Sequence, residues 1–299
     1  MKKTLVYLML CLATFFWGCS FIMTKELSIS EPNITALHII TFRMLLASSV
    51  MMPALALTRR LERVRREDVK WFLLLSLCEP FLYGFLETTG TLAVDGSLAA
   101  VVVATIPLFV PFGMAAAYRE KIHPITLLGI VLSLVGISVM LFSSGANFES
   151  SWMGLLALAG AVLVAVLYTL VLVKIVNRYA PVTITTYQNF IGLIYYVPVM
   201  LAFDGSKLPM LSFSPKMILI LLALGVFCST IAYVFYNYGI RSLGATASCI
   251  FTNAIPVVSM IVAIIIGQEA FSVWKAVGML VVVFGVIIVQ LNIQKTASE

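Results

Sequence analysis

The feature that most constrains this chain is a recurrence: runs of about 18–24 residues with almost no charge follow one another from end to end, separated by short polar stretches. An α-helix rises 1.5 Å per residue, so ~20 apolar residues cross a hydrocarbon core ~30 Å thick. In lipid the backbone has no water to bond, and a helix satisfies its own N–H and C=O groups within one segment. The reading is therefore an all-α integral membrane protein with ten transmembrane helices, over residues 4–24, 34–57, 69–92, 97–118, 124–142, 152–173, 183–203, 215–238, 245–267 and 272–290. A composition 62% apolar and only 11% charged agrees with that class.

Lys2 and Lys3 ahead of an apolar run look like the start of a secretory signal. The run continues to Met23 without an Ala-x-Ala site, and the surroundings of Cys19 make a poor lipoprotein site, so an uncleaved first helix is expected. Cys11, Cys19, Cys78, Cys228 and Cys249 all fall inside predicted helices and read as small buried apolar residues, with no disulfide or metal framework. The net charge of +6 is distributed by side and calls for no nucleic-acid partner. With the N-terminus in the cytoplasm, the inner side receives fourteen Lys and Arg, among them the cluster Arg59–Lys70, and the outer side receives Lys25, Lys207, Lys216 and Lys275. This positive-inside bias places both termini in the cytoplasm, with anionic lipid headgroups as partners of the basic loop.

Laid over itself with a shift of 149 residues, the chain repeats: Pro32 meets Pro181, Gly90 meets Gly239, Pro107 meets Pro256, Glu120 meets Glu269, Gly129 meets Gly278 and Gly136 meets Gly285. Two five-helix halves follow, 1–147 and 148–299, forming one transport unit. Five is odd, so the second half enters the membrane in the opposite sense, and inverted repeats of this kind belong to secondary transporters. Pro107 and Pro256 are read as hinges near the middle of the fourth and ninth helices, and the paired glycines as close-packing faces of the fifth and tenth. Glu120 and Glu269 are expected at membrane surfaces as caps or loop partners.

Within the third segment, "LCEPFLYGFLETTG" carries two glutamates at depths where a carboxylate must pair, take a proton or face water. Glu79, Tyr83 and Glu87 fall on one stripe of a helix, Glu79 near the midplane and Glu87 nearer the outer face. On the second segment Arg43 lands near the depth of Glu79 and His38 near that of Glu87, so an Arg43–Glu79 pair is expected. Two readings of it stand, a structural ion pair and direct involvement of Glu79 in binding or proton coupling. His38 reads as a satisfied wall histidine rather than a proton relay.

"FFWGCSF", "FRMLLA", "ATIPLFVPFGMAAAYRE", "TNAIPVVSMIVAIIIGQE" and the glycine-bearing fifth and tenth segments resemble the EamA-type, ten-helix members of the drug/metabolite transporter superfamily. The resemblance implies a central cavity lined by helices one to four and six to nine. Those helices bring Trp17, Ser20, Thr105, Tyr168, Tyr187, Asn189, Tyr233, Tyr236, Asn237 and Asn253 into consideration, with Trp17, Thr105 and Asn253 as midplane contacts and part of "YVFYNYG" as an aromatic belt or gate. Such a wall suits a small, partly apolar or zwitterionic solute.

Two histidines, no G-x-S-x-G or H-E-x-x-H motif and no phosphate-binding loop argue against an enzyme and against intrinsic ATP hydrolysis. The expected function is secondary active transport of small metabolites across a cell inner membrane, without a cofactor. Export of amino acids or related metabolites, possible with proton coupling, is the first choice and nutrient uptake the runner-up; a homodimer is left open. In an otherwise cysteine-free background, a cysteine at Asn147 should react with an impermeant thiol reagent on intact cells and one at Arg63 should not. The reverse pattern would invert the orientation.

Overall fold

The computed structural model describes residues 3–118, 124–143, 148–243, 248 and 250–298, which form helices and connecting turns. In chain order the apolar helices are α1 (Thr4–Ser30), α2 (Ala36–Leu57), α3 (Val69–Ala93), α4 (Gly96–Ala117), α5 (Leu127–Met140), α6 (Trp152–Ile175), α7 (Pro181–Met210), α8 (Pro215–Leu243), α9 (Phe251–Ile266) and α10 (Val273–Gly285). Seven of them are long and apolar enough to cross a membrane by length and composition, while α5, α9 and α10 are shorter. Lys2, Arg119, Glu120, Lys121, His123, Asn147, Cys249 and the expected start of the ninth segment at Ala245 lie outside the described residues.

Apolar side chains cover much of the outer surface: Leu128, Leu163 and Ile265 are 51%, 61% and 78% exposed. Such faces are stable against lipid, not water. Cys11 is exposed on α1, so the expectation that every cysteine is buried fails there, although Cys78 and Cys228 are buried. The first part of α4 shows the opposite pattern, with every residue from Leu98 to Ala104 buried. It is apolar all round because Phe21, Leu158, Val162, Ile255, Met260 and Met279 surround it.

Four of the segments, α3, α4, α8 and α9, are interrupted or widened. Glu79 adopts an extended backbone (φ −138°, ψ 120°) inside α3, so the helix is interrupted, and Tyr83 N–H reaches back five residues to the Cys78 carbonyl. In α8 the turns over Leu224–Ile231 are also wide, with Ala232 N–H bonded to the Phe227 carbonyl. α4 breaks at Ala104 and Thr105, and its second part begins at Ile106. Likewise a tight turn over Ile250–Ala254 precedes the regular helix Ile255–Ile266. Pro107 and Pro256 therefore stand in the first turn of a new helical segment, where the missing N–H costs nothing, and not at a kink inside a continuous helix as expected.

The ends of the bundle are tied by polar links. Glu269 accepts from the backbone N–H (3.1 Å) and hydroxyl (2.6 Å) of Ser97 at the start of α4, the cap and loop role expected of it. Lys275 joins Glu269 (3.0 Å) to Asp95 (2.7 Å). At the opposite end buried Asp68 receives Arg178 and the Tyr179 hydroxyl, both at 2.7 Å.

Glycines bring α5 and α10 together. A Cβ on Gly136 would lie 2.5 Å from the Gly278 carbonyl oxygen, and one on Gly285 would lie 3.0 Å from that of Gly129, so the two helices pass antiparallel with their backbones in contact. Gly278→Leu should therefore lower stability by about 1–3 kcal/mol. Thermal unfolding in detergent checks this, with Gly205→Ala as a neutral control because its Cβ would meet only ordinary contacts at 3.8 Å or more.

Candidate functional site

A cavity of about 110 Å³ lies within the bundle where α1, α2, α3, α4, α6, α8 and α9 converge. Its position follows from the helix irregularities. The break at Glu79 turns Pro80 against α7, where Gly192 leaves the room: a Cβ there would lie 2.3 Å from the Pro80 ring. The carbonyls of Pro80 (3.0 Å) and Phe81 accept from the hydroxyl of fully buried Tyr196. In α8 the carbonyls of Cys228 and Ser229 accept from the Trp17 indole N–H (3.2 Å) and the Asn189 amide (3.1 Å). With its backbone satisfied, the wall exposes side chains to the cavity.

Glu79 is 7% exposed and lines the cavity. Its Oε1 accepts from the Tyr233 hydroxyl at 2.6 Å, and its Oε2 has no hydrogen-bond partner among the described residues. Arg43 also lines the cavity, but its Nε donates to Ser229 Oγ at 3.0 Å. The expected Arg43–Glu79 ion pair is thus absent among the described residues. Extended backbone at Glu79 takes its side chain off the helical course on which the pairing was reckoned, and α8 supplies a partner to each group. Glu87, 8% exposed, also lines the cavity, with Thr88 Oγ1 donating to its Oε2 at 3.3 Å.

Tyr83, Tyr168, Trp17, Ser20 and Pro107 are further expected residues that the structure brings to the cavity wall. Thr105 and Asn253 are buried and stand outside the lining; Thr105 Oγ1 donates to the Val102 carbonyl at 2.6 Å, across the α4 break. Pro256 is outside it too. His38 caps α2 away from the cavity: Thr35 N–H donates to its Nδ1 (3.3 Å), which leaves Nε2–H to donate to the Asp204 carbonyl (3.1 Å). Tyr233 and Tyr236, from a stretch read partly as an interfacial belt or gate, reach the lining, and each packs edge-on against Trp17 with centroids 5.2 and 5.1 Å apart. Asn237 is buried instead against Thr185, at 3.1 Å. Thr169, Thr252 and Pro80 line the cavity without having been singled out; nothing separates them by type from core residues, except that Pro80 follows a membrane-buried glutamate.

Comparison with known proteins places this geometry in a wider group. The model of the EamA-like transporter family matches twice, over residues 4–142 and 152–291. An uncharacterized transporter of Archaeoglobus fulgidus is 25% identical over 97% of this chain and 99% of its own length. The uncharacterized transporter YcxC of Bacillus subtilis is 26% identical, covering 100% of this chain and 96% of its own. A solved crystal structure with 17% sequence identity superposes with a TM-score of 0.67 over 94% of this chain and 98% of that one, which shows a shared fold.

Among the described residues the Tyr233 hydroxyl is the one donor to a buried carboxylate whose other oxygen has no partner there. Tyr233→Phe should destabilise the protein by about 1–3 kcal/mol. Removing the exposed Tyr195 hydroxyl, 3.3 Å from the Leu73 carbonyl, should cost less. Thermal unfolding of the two variants checks the order.

Proposed function

The chain belongs to the EamA-like transporter family, and we propose that it is a secondary active transporter that carries amino acids or related small metabolites outward across a bacterial-type inner membrane. Both termini are cytoplasmic in this reading, and the lipid bilayer surrounds the exposed apolar faces. The two halves, 1–147 and 148–299, are inverted repeats that open the cavity alternately to each side, and Glu79 couples the movement to protons.

One observation carries the reading: a cavity inside the bundle with a membrane-buried carboxylate in its wall, lined by helices from both halves. An ionisable group at such depth is retained for function, because leaving it unpaired costs several kcal/mol. The glycine contact supports inversion. Gly129 touches Gly285 and Gly136 touches Gly278, while the repeat equates Gly129 with Gly278 and Gly136 with Gly285. Each residue meets the counterpart of the other, which is the pattern of a two-fold axis. The irregular turns of α3 and α8 obey the same relation, since Glu79 and Cys228 are equivalent under the shift of 149. Broken helices beside a central site are how transporters of this type admit polar groups at midplane depth.

Purified protein in proteoliposomes tests the reading with a panel of radiolabelled amino acids and their derivatives, with and without a pH gradient. Wild type should concentrate at least one solute in response to the gradient. Glu79→Gln should lose that response whatever residual downhill flux it keeps, with folding monitored by thermal unfolding. A stable Glu79→Gln protein that still responds fully would remove Glu79 from coupling.

A further inference from the structure

We infer that the cavity selects a monocationic amine, a solute with a protonated nitrogen and no free carboxylate, with the Glu79 carboxylate as the anchor for the ammonium group and the Trp17–Tyr233–Tyr236 corner as the seat of its apolar body. The inference rests on the transporter reading and, within its substrate class, favours amine relatives of amino acids over the amino acids themselves.

Charge is the first argument. The lining holds two carboxylates, Glu79 and Glu87, and one guanidinium, Arg43. With all three ionised the wall carries one negative charge in excess. Charge buried in a low-dielectric site must be matched by charge or neutralised by a proton, and one positive charge on the solute takes the place of that proton. A zwitterion does not, because its carboxylate restores the excess that its ammonium removes. An anion doubles it.

Hydrogen bonding is the second, independent argument. Glu79 is more than nine-tenths buried and faces the cavity, yet only Oε1 is engaged, by Tyr233 at 2.6 Å. Among the described residues its Oε2, itself buried, has no hydrogen-bond partner. A carboxylate left with an unused acceptor gains a bond by turning that oxygen to a donor in the cavity, and an ammonium group offers three. Arg43 is held toward α8 by its bond to Ser229 and does not fill that place.

Aromatic geometry is the third. Tyr233 and Tyr236 stand at 70° and 67° to the Trp17 ring, with centroids about 5 Å away. These walls meet at large angles, and the Tyr233 hydroxyl that ends one of them touches Glu79. All three rings line the cavity with Glu79, and a ring face that meets a bound cation attracts it by roughly 0.5–2 kcal/mol per contact while the rest of the corner covers an apolar chain.

Three probes of one skeleton separate the possibilities: phenethylamine, phenylalanine and 3-phenylpropionate, titrated calorimetrically into the full-length protein in detergent at neutral pH. Phenethylamine should bind at least about tenfold more tightly than phenylalanine, and 3-phenylpropionate should not bind. Glu79→Gln should bring phenethylamine down to the level of phenylalanine. Should that variant fail to fold, Trp17→Leu supplies the second arm, weakening phenethylamine several-fold. Phenylalanine binding as tightly as phenethylamine, or any binding of 3-phenylpropionate, overturns the inference, as does undiminished phenethylamine binding to folded Glu79→Gln. Flux in proteoliposomes is scored separately. Amine binding with no flux of any solute would defeat the transporter reading alone, whereas phenylalanine flux without amine preference would defeat this one alone.

Discussion

Every break in a membrane helix exposes backbone groups that lipid cannot satisfy, and the architecture of this protein is organised around meeting that demand. α3 opens at Glu79 because Tyr196 accepts the burden of the Pro80 and Phe81 carbonyls. α8 widens where Trp17 and Asn189 do the same for Cys228 and Ser229. In α4 the Thr105 hydroxyl closes on the Val102 carbonyl at the interruption. These polar side chains belong to the scaffold, even though several lie within a few ångströms of the cavity. Their cost is met by bonds to backbone, which commits their polar atoms, while the Trp17 ring still lines the cavity.

That division separates what could be read in the sequence from what could not. Charge-poor runs announced the membrane helices, because hydropathy over a segment sums many small terms of one sign. The 149-residue shift exposed the paired prolines and glycines, and the α5–α10 contact uses those glycines as expected. Glu79, Tyr83 and Glu87 share the cavity as their helical spacing suggested. The pairing of Arg43 escaped, because it was calculated from a regular helix and Glu79 is not in one. Asn253 and Thr105 were chosen by depth alone; depth does not say which way a side chain turns around a broken helix. Ser229 had no signal at all, since a serine that holds an arginine looks like any small residue in a packed helix.

The two ends of the bundle show a different use of charge. At one, Glu269 serves as an N-cap for α4 while sharing Lys275 with Asp95, and at the other Asp68 gathers Arg178 and Tyr179. Each cluster joins loops distant in sequence, and each is the kind of multi-partner arrangement in which charge contributes where an isolated surface pair would not. The ends are fastened by ionic contacts that can be exchanged; the middle, by glycine contacts that cannot be loosened without separating the helices.

The cavity is less symmetric than the frame around it. Under the 149-residue shift Glu79 corresponds to Cys228, Arg43 to Gly192 and Glu87 to Tyr236, so each glutamate and arginine of the lining comes from the first half of the chain and has an uncharged residue type as its counterpart in the second. A frame made of two like parts would, with identical walls, hold a solute equally well in either of two opposed poses. Here the walls have a polar side and an aromatic side. In the proposed transport cycle a bound molecule therefore acquires a head and a tail, and it keeps the same end toward the same half of the chain throughout.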